Sequence, residues 1–357
     1  MGNSAPGVGV STRVFACSDL HVDHKSNWAH LQEVVKEGGY TGRDVLIVAG
    51  DVSTELSLLR RTLGFLAEVF HGGHDEGANE DEEEEEEERS TKKRMSNVFF
   101  CPGNNELRLA RSDKKQNGTC DSLAKLADVL RVCEEVGVHT QPAKVNGQVW
   151  VVPLLAWYTP SFDPEWDRES HDYRRGWLDF RACAWPAELD GAVGGVAAHF
   201  LARNEEWMDS SLLPFDAPVV SFSHFLPRFE LLPKRIFLLN KTLPLVVGDE
   251  RLDEQIRRIG SQVHVFGHTH IDKDKVIDSV RYVQNAFGHP AERNKVWHAL
   301  KATYRPKLVL EVFPDGRSRS EDQRGSDREE EGEDEDEASE EPHEDESNKR
   351  KRKKKQK

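Results

Sequence analysis

Residues 44–51 read DVLIVAGD, an apolar run of strand length that stops at Gly50 and delivers a carboxylate, Asp51. A short stretch rich in β-branched residues and bounded by Gly and Asp reads as a buried strand. The same arrangement recurs along the chain. RVFACS precedes Asp19 and His21, NVFFCPG precedes Asn104, VVSFS precedes His224, and VHVFG precedes His268 and His270. Helical stretches separate these runs, and strands alternating with helices predict an α/β sheet. Side chains just past the carboxyl ends of such strands converge on one crevice, so seven groups far apart in sequence are expected to meet. Four imidazoles, two carboxylates and one carboxamide suit two divalent cations rather than one. Nitrogen and oxygen donors together point to Mn, Fe, Zn or Co, whereas Mg usually brings fewer histidines.

Working outward, a strand over 13–18 leads to a helix over 27–37, where Trp28, Leu31, Val34 and Val35 keep helical spacing. After the strand over 44–49, Ser53 or Thr54 is expected to cap a helix whose Leu56, Leu59, Leu63, Leu66 and Val69 form one apolar face. A strand over 97–101 and a helix over 119–136 follow. KVNGQVWVVPLLAW, APVVSFS, SQVHVFG, DKVIDSVRYVQN and PKLVLEVF read as further strands, with helices near 192–208 and 250–259. They fit a second sheet packed on the first. Between them WYTPSFDPEWDRESHDYRRGWLDFRACAWP has no clear period and is expected to form an ordered excursion beside the site, or a partial lid.

The formal charge of −15 over 357 residues is unevenly placed. His71 to Arg94 carries eleven acidic against four basic side chains, a net of −7, and Asp315 to the end carries seventeen against twelve, a net of −5. About −3 is left for the remainder, so the acidity says little about the substrate. Neither segment has enough apolar surface to offset the entropy of ordering it. The expected organisation is a flexible 1–12, a folded 13–314 broken by a disordered acidic insert at 71–96, and a disordered tail at 315–357. That tail ends in NKRKRKKKQK, a basic cluster of the nuclear-import or nucleic-acid type. An import receptor or a nucleic acid is thus a candidate partner of residues 349–357, and a solvated polyampholyte reads equally well from the same composition. Five cysteines without a close pair, no run long enough to span a membrane and no signal peptide predict a reduced, soluble protein of cytoplasm or nucleus. MGNSAP lacks the Ser or Thr that myristoylation asks for at its sixth residue, where Pro6 stands.

Asp19 and His21 are one residue apart, as are His268 and His270, so each pair projects to one side of an extended backbone. Taken singly these pairs say little; five ligand-bearing sites at five strand ends in order say much more. SDLH, AGD, PGNN, SFSH and GHTH resemble the motifs of the calcineurin-like metallophosphoesterase superfamily, over residues 17–270. SHFLPR, VFGHTHID and VRYVQNAFGHPAER also resemble a plant, algal and bacterial branch of it. The resemblance implies a four-layer α/β/β/α sandwich of two mixed sheets and a dinuclear centre that hydrolyses phosphate mono- or diesters through a hydroxide shared by two ions. It implies that Asp19, His21 and His270 hold the first ion, that Asn104, His224 and His268 hold the second, and that Asp51 bridges them.

The chain departs from the family pattern at Asn105, where Gly-Asn-His is usual. A histidine there helps the leaving oxygen depart; an asparagine donates a hydrogen bond but no proton. Three outcomes stay open: another group such as His24 or Asp23 of the DLHVDH loop serves instead, the leaving group departs without help, or turnover is slow; an exposed loop histidine is the plainer reading of His24. Arg228 and Arg108 each follow a ligand motif and are candidates to grip a phosphate oxygen, or else to form salt bridges. AGDVSTE lacks the arginine of the protein phosphatases that share the resemblance, which argues against protein dephosphorylation. Two rivals remain: a non-catalytic metal-binding scaffold of the same fold, and a nucleic-acid factor acting through its basic tail.

Overall fold

The computed structural model describes residues 10–71, 95–113, 118–167, 173–190, 192–209, 212–293 and 304–320. Most of the acidic insert and all of the tail beyond residue 320 lie outside the described residues.

The strands are β1 (Thr12–Cys17), β2 (Val45–Ala49), β3 (Val98–Cys101), β4 (Ala143–Val145), β5 (Val149–Pro153), β6 (Val219–Phe222), β7 (Val263–Phe266), β8 (Lys273–Ile277), β9 (Val280–Gln284), β10 (Lys307–Val312) and β11 (Ser318–Arg319). Among the described residues they build two mixed sheets, ordered β11-β10-β1-β2-β3 and β4-β5-β6-β7-β9-β8. β1, β2 and β3 run parallel, as do β5, β6, β7 and β9. The antiparallel strands sit at the flanks, where β10 pairs with β1, β4 with β5 and β8 with β9. β8 and β9 turn through Asp278 and Ser279, both at positive φ, the backbone twist that a two-residue hairpin requires.

The helices are α1 (Lys25–Glu37), α2 (Leu56–Val69), α3 (Asn104–Leu107), α4 (Ser122–Val136), α5 (Asp179–Ala182), α6 (Ala187–Asp190), α7 (Gly195–Met208), α8 (Arg251–Arg258) and α9 (Pro290–Arg293). Alternation along the strands explains the layering. Val45, Ile47 and Ala49 point from β2 into a core shared with Val151 of β5, Phe222 of β6 and Val265 of β7, so the two sheets pack face to face. Leu46 and Val48 point the other way, onto Leu31 of α1, Leu63 of α2 and Val129 of α4. On the far side Val152, Val219, Phe266 and Tyr282 meet Phe200 of α7 and Ile256 of α8. The result is the expected four layers, α/β/β/α.

Two details differ from the sequence reading. α2 begins after Glu55 with no side-chain cap; Ser53 instead accepts the Glu55 N–H at 3.1 Å and donates to Asp23 at 2.8 Å. The strand pairing of β10 with β11 continues past residue 314, because Phe313 N–H donates to the Arg317 carbonyl and closes a turn.

Candidate metal centre

The loops after β1, β2, β3, β6 and β7 all open at one end of the sandwich, and backbone bonds lace them together. Asp19 N–H donates to the Gly50 carbonyl, His21 N–H to that of Asp51 and Gly267 N–H to that of His224. Asp19, His21, Asp51, His268 and His270 have positive φ, as only three other non-glycine residues do among those described. Left-handed backbone costs a non-glycine residue about 1–3 kcal/mol and gathers where function demands it. Two glycines make the close approach possible. A Cβ on Gly103 would lie 2.2 Å from Asp51 Oδ1, and one on Gly50 would lie 2.5 Å from His224 Nδ1.

The seven residues read from the sequence come together there. His21 Nε2 is 3.0 Å from His270 Nε2, which is 3.4 Å from Asp19 Oδ1. Asn104 Oδ1 is 3.1 Å from His224 Nε2 and 3.0 Å from His268 Nδ1. Asp51 stands between the two groups: its ligand atom lies within 4.8 Å of those of Asp19 and His21, and likewise of those of His224 and His268. These His and Asp clusters are able to hold metal ions.

The outer partners of the imidazoles sharpen this point. His268 Nε2 faces the Val246 carbonyl at 2.9 Å and His224 Nδ1 faces the Ala49 carbonyl at 2.9 Å. A carbonyl only accepts, so those nitrogens carry the protons and the opposite ones present lone pairs. The two lone pairs then point at each other, 3.3 Å apart, and at the Asn104 carbonyl oxygen. On the other side His270 Nδ1 donates to Glu292 at 2.8 Å, which aims Nε2 at His21 and Asp19. Acceptors converging on acceptors in a buried pocket are what a cation relieves.

Charge cuts across this division: burial works against His224, but Asp51 and Asp19 push its pKa up. Burial works against His270, but Asp19 and Glu292 push its pKa up to about 10. Asp19 is held below the ordinary carboxylate range against the effect of burial, chiefly by His270. Burial pushes His21 and His268 down, and it pushes Asp51 up.

Three residues that the sequence reading passed over complete the site. Glu106, fully buried, accepts N–H bonds from Asp51 at 2.9 Å, Val52 at 2.7 Å, Ser53 at 2.9 Å and Gly103 at 2.8 Å. It thereby locks the AGD and PGN loops together; burial, then repulsion from Asp51, pushes its pKa up to about 7. Its signal was in PGNNE, a glutamate three residues after Gly103 at a helix start. His289 and Glu292 come from FGHPAER after β9 and line the side of His21 and His270, where His289 stacks on His21.

The remaining sequence candidates separate. Asn105 lies inside the cluster, with its amide nitrogen 2.9 Å from His21 Nδ1 and its oxygen accepting from Arg108. Arg108 also donates to Asp179 at 2.7 Å, and Asp179 accepts from Asn104 at 3.2 Å. His24, exposed at the start of α1, has Nε2 3.2 Å from His289 Nδ1. Arg228 is bound instead to Glu230 at 2.7 Å, Asp278 at 2.9 Å and Asp253 at 3.3 Å. Three carboxylates hold that guanidinium in salt bridges. The excursion after β5 frames a cavity of about 740 Å³ with Trp157, Tyr158, Phe180, Trp185, Arg174 and Asp179 in its wall.

The family model for calcineurin-like phosphoesterases matches residues 12–272. The chain belongs to this family. Its members are in general phosphoesterase hydrolases that use divalent metals and act on phosphate esters. The chain is similar in fold to phosphopantetheinyl hydrolase from Mycobacterium tuberculosis, with TM-score 0.59 and 22% identity over 84% of this chain and 97% of that one. A Staphylococcus aureus protein provisionally described as a 5'-nucleotidase gives TM-score 0.35 and 13% identity over 77% of this chain and 48% of that one, too distant to bear on function. No curated protein matches significantly. Among the described residues no helix is long and apolar enough to cross a membrane.

Proposed function

We propose that this phosphoesterase hydrolyses an organic phosphate mono- or diester with the help of two divalent cations. The observation that carries the reading is the pair of donor groups that share Asp51, each with its ligand atoms gathered within 4.8 Å of one another. Asp19, His21 and His270 would hold one ion, Asn104, His224 and His268 the other, and Asp51 both. When bound, two such cations neutralise the phosphoryl charge and lower the pKa of a water between them; Mn, Fe, Zn and Co all suit the donor set.

The protein's own side chains then divide the remaining work. Asp51, clamped through Glu106, keeps the two halves at a set separation. Arg108 is the group we assign to a phosphoryl oxygen, and its partial exposure beside Asn105 supports this. Asn105 holds the His21 ring. His24, at the same mouth, is the group we assign to the leaving oxygen in place of the usual histidine. The aromatic and arginine-bearing cavity beside Asp179 supports a substrate with a sizeable organic group. The free cysteines, three of them buried, support a reducing compartment, cytoplasm or nucleus.

The test is cleavage of bis-para-nitrophenyl phosphate by protein loaded with each metal in turn. Activity is expected to vanish on chelation and in Asp51→Asn and His268→Ala, with loss of at least about a thousandfold in kcat/KM, or about 4 kcal/mol. Full activity in either variant overturns the reading. Two bound metals without turnover on a panel of mono- and diesters would point to a scaffold instead.

A further inference from the structure

A fifth imidazole stands at the centre besides the four named from the motifs. The ring of His289 lies 4.2 Å from that of His21, with planes 25° apart, and 5.0 Å from that of His270. Its ligand atom lies within 4.8 Å of those of both. Small ring movements would bring three nitrogens at such separations to about 2.1 Å from one ion.

The placement of His289 is built by the fold. Phe287 N–H donates to the Ser18 carbonyl at 2.8 Å and Gly288 N–H to the Asp19 carbonyl at 3.0 Å. Asn27 reaches across to the Gly288 carbonyl at 2.9 Å. These bonds staple residues 287–288 onto the loop that carries Asp19 and His21. Gly288 sits at φ +72°, and a Cβ there would lie 2.8 Å from Glu292 Oε2. The same carboxylate oxygen accepts the His289 N–H at 2.8 Å and the His270 Nδ1 proton at 2.8 Å. One carboxylate therefore positions a recognised ligand and its neighbour together. His289 Nδ1 faces His24, 3.2 Å away, which leaves Nε2 for a cation.

We propose that His289 is a further protein ligand of the ion held by Asp19, His21 and His270. This rests on the metal-dependent reading above. It makes the two halves unequal in kind. The first has three imidazoles with Asp19 and the shared Asp51; the second has two imidazoles and a carboxamide with Asp51. The nitrogen-rich half prefers Co, Ni or Zn over Mn, and the other half discriminates less. Five protein donors also leave the first ion few positions for solvent, so the second is the more open to an incoming ester.

Cobalt(II) is the probe that tests this, because its visible bands report the donors around it independently of turnover. Full-length protein, stripped of metal, is titrated with Co(II) by calorimetry and by absorption. Wild type is expected to bind two ions. In His289→Ala one of the two binding steps is expected to weaken about tenfold or more with a shift in its bands, and the other step to stay as it was. Two unchanged steps and an unchanged spectrum in a folded His289→Ala protein overturn the proposal. A measurement on wild type alone covers the case of a variant that fails to fold: paramagnetically shifted proton resonances should trace to five histidine rings, and four rings without His289 also overturn it. Wild type that takes up no Co(II) would instead bring down the phosphoesterase reading itself.

Discussion

His268 and His270 belong to one GHTH motif and share a left-handed backbone, with φ 74° and 54°, yet they serve opposite halves of the centre under opposite conditions. His268 is backed by a neutral carbonyl, that of Val246, and burial pushes its pKa down. His270 is backed by the Glu292 carboxylate, which together with Asp19 pushes it up to about 10. An imidazole behind which a carboxylate stands is the more basic ligand and also the one that a proton contests. In the proposed centre His268 is thus preset to present a lone pair, whereas His270 holds a proton until a cation displaces it. Two residues of sequence separation and identical chemistry do not decide this; the neighbour behind each ring does.

The largest expected effect comes from removing what the halves have in common. Glu106 accepts two N–H bonds on each carboxylate oxygen, so Glu106→Gln turns an NH2 group toward two donors. A loss of about 3 kcal/mol in urea unfolding is expected, and both metal-binding steps should weaken. If only one step moved, Glu106 would not be the shared support described here.

A change behind His270 alone should split the halves. Glu292→Gln is expected to weaken one of two calorimetric binding steps about 10–100-fold and to leave the other in place. Equal weakening of both would erase the distinction drawn between them.

The pH dependence of the metal-free protein offers the mildest probe. Folding raises His270 from its ordinary 6.5 to about 10, so its contribution is fully present below 6.5 and is lost as pH rises through about 10. Folding lowers Glu292 from 4.5 to about 2, so its contribution is present above 4.5 and is lost as pH falls through about 2. The Tm of stripped protein is expected to be highest between those windows and to decline on either side. On the alkaline side the decline should lessen in His270→Ala, His224 with its raised pKa keeping a share of it, and metal uptake at neutral pH should release a proton, measurable by calorimetry in buffers of different ionisation heat. A flat alkaline limb in the wild type would remove the proton from His270.

Much of the architecture was legible because burial writes itself into strands as alternation. DVLIVAG could pack on both faces, and it does, with Ile47 between the sheets and Leu46 beneath the helices. The seven candidate ligand positions were legible for a related reason: each follows an apolar run, and strand ends of parallel sheets share one edge. Arg108 and Arg228 mark where this stops working. Both follow ligand motifs, but Arg108 turns to Asp179 and Asn105 beside the cluster, whereas Arg228 is taken by Glu230, Asp253 and Asp278. The start of α2 shows the same limit locally, since Ser53 had two possible partners and chose Glu55 N–H and Asp23 over a helix cap.

What the chain alone determined is the periodic part: which segments are strands, which faces they bury and which donors stand at their ends. These depend on residues near one another in sequence and on the single requirement that apolar surface leave water. Only the tertiary structure decided the partners behind those donors. Glu106 under Asp51, Glu292 behind His270 and the His289 ring against His21 are joined by contacts between distant segments, and such contacts have no period to read. Because those partners set protonation and ligand count, the motifs named the chemistry of the centre and the packing around it assigned each half its character.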